Sequence, residues 1–189
     1  MSNPIPLKHG KVYHIYNRGN NGENIFIEHR NYRYFLRLYT RHVHPVVDTY
    51  AYCLLRNHFH LLIRVKTKQD LKKPPSQYFS NWFNAYAKAI NRAYGRTGSL
   101  FERPFRRIEV NSVPYFRRLV SYIHRNPEIH GFVDDFREWP YASYDTLRRS
   151  EPTKLQRETV LAWFDGPEAF VETQQRIMEL PAPLILEYV

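Results

Sequence analysis

Cysteine occurs once in this chain of 189 residues, at Cys53. A disulfide framework is therefore excluded, and a reducing cytoplasm is the expected setting. Cys53 sits in an apolar stretch and reads as a small buried hydrophobe rather than a nucleophile. Long apolar runs are missing too, so no membrane span is expected. The segment from Met1 to Lys11 has no apolar core, which argues against a secretory leader. Acidic residues are in short supply: 18 against 28 lysines and arginines, for a net charge of +10. There is no internal repeat and no low-complexity tract.

What is present is apolar and aromatic. Hydrophobic residues make up 43% of the chain and aromatics 16%, enough to build one core and a small extension. The basic surplus points to a polyanionic partner. It is concentrated between Arg92 and Arg125, where eight arginines (92, 96, 103, 106, 107, 117, 118 and 125) face two acids, Glu102 and Glu109. Arginine over lysine suits forked contacts to phosphate.

Periodicity orders the elements. Val12–Asn17 alternates as a strand and Arg18–Glu23 is a turn-rich loop. His29–His42 spaces Tyr32, Phe35, Leu36 and Tyr39 as an amphipathic helix. Val46–Leu55 and His58–Val65 read as two arms of a hairpin linked by Arg56-Asn57. Gln77–Tyr94 stacks Phe79, Trp82, Phe83, Tyr86 and Ile90 on one helical face. Phe105–Val110 is a short strand. A third helix starts at an Asn111 or Ser112 cap, tolerates Pro114 in its first turn, and is expected to stop at Pro127. Trp139-Pro140-Tyr141 looks like an anchor onto the core. Lys154–Phe164 and Pro167–Met178 read as two short helices. The order predicts an α+β fold: a ferredoxin-like antiparallel sheet with helices on one face, in residues 1–145, followed by a helical C-terminal extension, 146–189, packed on or near the core.

Two features carry chemistry. His58 and His60 are two apart on a strand, so both imidazoles project from one face while Phe59, Leu61, Ile63 and Val65 face the core. Tyr122 and Asn126 are four apart on a helix and lie one above the other, flanking its apolar face of Val113, Phe116, Leu119, Val120 and Ile123. If that helix packs on the strand, two imidazoles, an amide and a phenol converge. His124 projects the other way and is not expected to join them. Tyr115 lies on the same stripe as Tyr122 and is the reserve nucleophile.

The segments VYHIYNRGNNGENIF (12–26), LLRNHFHLLIRV (54–65), GSLFERPFRRIEV (98–110) and YIHRNPEIHGFV (122–133) resemble those of single-tyrosine HUH transposases, most narrowly the REP-associated tyrosine transposases and related bacterial insertion-sequence enzymes. The resemblance runs in order over roughly residues 10 to 145. It departs at Leu55-Arg56, where Met-Pro is common, and at Glu128-Ile129-His130-Gly131, where Val-x-x-Gly is commoner. It implies that His58, His60 and Asn126 hold a divalent ion, Mg²⁺ or Mn²⁺, and that Tyr122 attacks single-stranded DNA beside a hairpin to form a 5′-phosphotyrosine. Arg103, Arg106, Arg107, Arg118 and Arg125 would then track phosphates. Relatives include monomers and homodimers. Three other readings stay open: another HUH nuclease such as a relaxase or replication initiator, a catalytically silent DNA-binding descendant, and a zinc-dependent hydrolase without a covalent step.

Overall fold

A computed structural model describes residues 4–67, 71 and 73–176. The strands are β1 (Val12–Arg18), β2 (Val47–Leu54), β3 (His58–Val65) and β4 (Arg106–Val110). The main helices are α1 (His29–His42), α2 (Pro75–Ala93) and α3 (Val113–Ile129). Three short ones follow, α4 (Tyr144–Arg148), α5 (Arg157–Trp163) and α6 (Pro167–Arg176). The expected reach of the last helix to Met178, and the apolar segment at 181–189, fall outside the described residues.

The sheet has the order β2-β3-β1-β4 with every pairing antiparallel, the arrangement expected for a ferredoxin-like sheet. β3 and β1 are therefore central, and their side chains are held from both sides. One expectation needs correcting. Helices cover both faces of the sheet, not one. Phe59, Leu61 and Ile63 pack with Phe35 of α1 and Trp82 and Tyr86 of α2 in one core. Leu62 and Val110 pack on the opposite face with Leu119, Val120 and Ile123 of α3. β3 announces this by filling both sets of alternating positions with residues that can be buried.

Helix α1 starts at a capping box, in which Glu28 and Asn31 each take the other's backbone N–H. α3 also departs from expectation, because it passes through Pro127 and ends at Ile129. Proline forfeits only one N–H there, in the last turn. The exit is closed by bonds from His130 N–H to the Asn126 carbonyl (3.0 Å) and from Phe132 N–H to the Pro127 carbonyl (2.8 Å).

The anchor at residues 139–141 is where the sequence pattern put it. The Trp139 indole donates to the Leu54 carbonyl at 2.9 Å, and Tyr141 stacks on Tyr32 with ring centroids 3.7 Å apart. Backbone bonds from Leu54 N–H to the Tyr141 carbonyl and from Ser143 N–H to the Tyr52 carbonyl run along the free edge of β2 and cover it. Val160 of α5, and Phe164 and Phe170 beyond it, are buried in the same core as α3. No helix among the described residues is long and apolar enough to cross a membrane.

Candidate active site

The strand register builds the site floor. In antiparallel pairs, residues directly opposite share a face. Cys53, His60, Tyr16 and Arg106 form one rank across the four strands, and Leu62, His14 and Ile108 belong to the next. Arg18 stands opposite His58. Helix α3 lies over this floor and brings Tyr122 and Asn126 to it. The Tyr122 ring meets His60 edge-on, with centroids 5.5 Å apart. Asn126 Oδ1 lies 3.3 Å from His58 Nε2. The His58 and His60 rings are perpendicular at 5.2 Å. All four residues are buried.

Hydrogen bonds decide which atoms face each other. Asn126 Nδ2–H donates to the Tyr122 carbonyl at 3.1 Å, so Oδ1 is turned toward His58. His58 Nδ1 lies 2.8 Å from Asn57 Oδ1, which can only accept. Asn126 Oδ1 at Nε2 can only accept as well, and a neutral ring has one proton for the two; the shorter contact takes it, at Nδ1, and leaves Nε2 a bare lone pair. Burial first, then the neighbouring His130 and against the Asn126 amide, lowers the His58 pKa to about 4, so the ring is neutral near pH 7. Two acceptors thus face each other across 3.3 Å. His60 Nε2 is buried with no hydrogen bond at all. Burial, then the imidazoles of His14, His58 and His130, hold His60 well below the usual imidazole range, opposed in part by Asn126. Buried polar atoms without partners are costly, and a small cation held by them would relieve that cost.

No group of three or more His, Cys, Asp or Glu residues is placed to hold a metal among the described residues. The donor set here is of another kind: two imidazole nitrogens and an amide oxygen. That set fits a borderline or hard divalent ion such as Mn²⁺ or Mg²⁺. Burial raises the Tyr122 pKa, with Asn126 opposing, so the phenol is protonated at neutral pH.

The remaining expected residues divide. Arg106 is exposed on the site face, and exposed Arg118 lies one helical turn before Tyr122. Arg107 is on the other face of β4, half-buried with its guanidinium 4.0 Å over the Phe105 ring. It lines, with Arg103 and Asn84, a groove of about 540 Å³ beside α2. Arg125 is turned inward, contrary to its expected place on a DNA track. It is buried, pairs with Glu128 at 2.6 Å and lies over Phe136. His124 points away from the site, as its helical position required, and bonds Ser143 Oγ (2.8 Å) and Gln174 Oε1 (3.3 Å). Tyr115 is half-buried in the first turn of α3.

Sequence reasoning missed His14, Tyr16 and His130. His14 and Tyr16 follow from the same period-two alternation that picked out His58 and His60, applied to β1. His130 packs on His58 with centroids 4.8 Å apart, and both line a cleft of about 270 Å³ with Arg18, Asn57 and Phe132. Only the end of α3 brings it there, so no sequence spacing marks it.

No family model matches the chain. A Haemophilus influenzae protein assigned as a REP-associated tyrosine transposase is 26% identical over 107 residues, covering 53% of this chain and 61% of that protein. Over that stretch this chain is similar to a REP-associated tyrosine transposase. A solved structure of a REP-associated tyrosine transposase bound to a REP hairpin superposes with a TM-score of 0.61 at 16% identity, over 82% of this chain and 89% of that one. At that identity the structural match establishes the transposase fold, a four-stranded antiparallel sheet with packed helices, and no more.

Proposed function

We propose that this chain cleaves and rejoins single-stranded DNA next to a hairpin, with Tyr122 as nucleophile. The observation that carries the reading is the meeting of His58 Nε2, His60 Nε2 and Asn126 Oδ1 beside the Tyr122 ring, with no proton available on the first and third atoms and no partner for the second. Those three atoms would hold a divalent ion, which when bound supplies positive charge to a scissile phosphate.

The side chains account for the rest. Tyr122 Oη attacks phosphorus, the bond from phosphorus to the 3′ oxygen breaks, and the phenolic proton is lost to solvent as the leaving oxygen takes one up. The products are a 5′-phosphotyrosine and a free 3′-hydroxyl. One phosphodiester is exchanged for another, so a 3′-hydroxyl can reverse the step without ATP. Tyr122 starts as a protonated phenol of raised pKa, which makes it a weak nucleophile and places the demand on phosphate activation. Packing against His60 restricts the ring, so little orientation remains to be gained on binding. Hairpin binding is proposed by analogy with the hairpin-bound relative.

The test is a denaturing gel after incubation with labelled hairpin oligonucleotides and Mn²⁺. A covalent protein–DNA band is expected with the native chain. Tyr122→Phe should abolish it and leave hairpin affinity within about twofold, since only a hydroxyl is removed; EDTA should abolish it as well. An adduct that persists in Tyr122→Phe would move the nucleophile to Tyr115 or elsewhere.

A further inference from the structure

His14 is fully buried on β1, and its Nε2 lies 2.9 Å from His60 Nδ1. The two rings are nearly parallel, 20° apart, with Tyr16 stacked against both. Neither free nitrogen, His14 Nδ1 nor His60 Nε2, has a hydrogen-bond partner. Both rings are fully buried, which favours their neutral forms.

Two neutral imidazoles sharing one hydrogen bond have two arrangements. In one, His14 Nε2–H donates to His60 Nδ1, and His60 must carry its own proton on Nε2. That nitrogen is then a donor aimed into the site and useless as a ligand. In the other, His60 Nδ1–H donates to His14 Nε2, and His60 Nε2 is a bare lone pair. We propose that His14 is a positioning residue that selects the second arrangement, fixing the tautomer and the ring plane of His60 so that Nε2 is ready to ligate. The inference rests on the reading of His60 as a metal ligand. His58 has the same device in a simpler form, because Asn57 Oδ1 accepts from its Nδ1. Both imidazoles of the site are thus set from behind by an acceptor, one an amide and one a third histidine. The geometry resists rotation too: His14 and His60 lie on adjacent central strands, diagonal across the β1–β3 pairing, with Leu62 opposite His14 and Tyr16 opposite His60.

The experiment separates the tautomer from the metal. In metal-free protein, imidazole ¹⁵N shifts are read by long-range proton–nitrogen correlation. The native chain should show His60 protonated at Nδ1. A native His60 protonated at Nε2 would overturn the proposal, whatever the metal result. Mn²⁺ binding is then titrated by calorimetry or paramagnetic relaxation. His14→Phe keeps the ring stack and removes the acceptor, and its affinity should fall by roughly 10- to 100-fold, the range for lost outer-shell partners of ligating histidines. His14→Gln can place an amide oxygen near the position of Nε2 and should recover most of that loss. A folded His14→Phe that binds Mn²⁺ as tightly as the native chain overturns the proposal. If His14→Phe does not fold, His14→Gln decides: near-native affinity with His60 still protonated at Nδ1 supports an acceptor role, and lost affinity in the folded variant overturns it. A native chain that binds no Mn²⁺ refutes the metal site separately, and the native ¹⁵N measurement still answers for His14.

Discussion

Asn126 does two jobs through two atoms. Its Nδ2 ties to the Tyr122 carbonyl one turn back, and that tie aims Oδ1 at His58. Aspartate could not donate the first bond, and alanine would leave His58 Nε2 without its counterpart. His124, two residues earlier on the same helix, shows how position alone separates a site residue from a core residue. It is enclosed by Ser143, Gln174, Tyr144 and Phe170. Burial lowers its pKa from 6.5 to about 4, with Gln174 opposing. Between those values the unfolded chain binds a proton that the folded chain refuses. His124 therefore costs nothing above pH 6.5, and stability is lost as pH falls from 6.5 toward 4, by up to about 1.4 kcal/mol per pH unit. Urea unfolding of the native chain and His124→Gln at pH 7 and pH 5 should show the smaller pH dependence in the variant. Equal dependences would mean that His124 is not held neutral in the fold.

At the scale of elements, much was legible and the misses have physical causes. β3 was read residue for residue, from His58 to Val65, because alternation and a tight link bound it at both ends. α1 was read equally closely. The pairing of Tyr122 with Asn126 followed from helical spacing, but that α3 meets β3 was only a conditional expectation, since no local pattern encodes which face of a sheet a helix covers. Arg106 and Arg107 were grouped although neighbours on a strand point oppositely, a rule already in use for His58 and His60. Arg125 was placed on the surface although Glu128, three residues on, offered it an i,i+3 partner. The helices after residue 146 bear on the site through α3. Phe170 is fully buried, packed edge-on against Phe164 at 5.1 Å and stacked with Tyr144 at 5.8 Å. Phe170→Ala should cost roughly 3–5 kcal/mol. Amide exchange should also quicken in α3, whose Leu119, Val120 and Ile123 share that core. Loss of stability with unchanged protection of α3 would show that α6 and α3 open independently.

Across the whole molecule, the +10 charge has to be divided by where each cation stands. Arg125 is neutralised by Glu128, Arg18 by Glu102 and Arg117 by Asp165. Arg103 and Arg107 line the α2 groove, on the far side of β4 from the histidines. Arg106 and Arg118 are the two expected DNA contacts that are exposed near the site and have no ion-pair partner among the described residues. A single strand reaching Tyr122 would pass these two. Each phosphate contact on single-stranded DNA adds about 0.7 to the slope of log affinity against log salt. The double variant Arg106→Ala/Arg118→Ala should therefore weaken binding and flatten that slope by about 1.4, with the fold intact because neither side chain is buried. Arg125→Ala should leave the slope unchanged and lower stability instead, since it strands Glu128 in a half-buried pocket. A double variant with native affinity and native slope, or an Arg125 variant that alone flattens it, would show that the strand takes another path, and the α2 groove with Arg103 and Arg107 would be the next surface to measure.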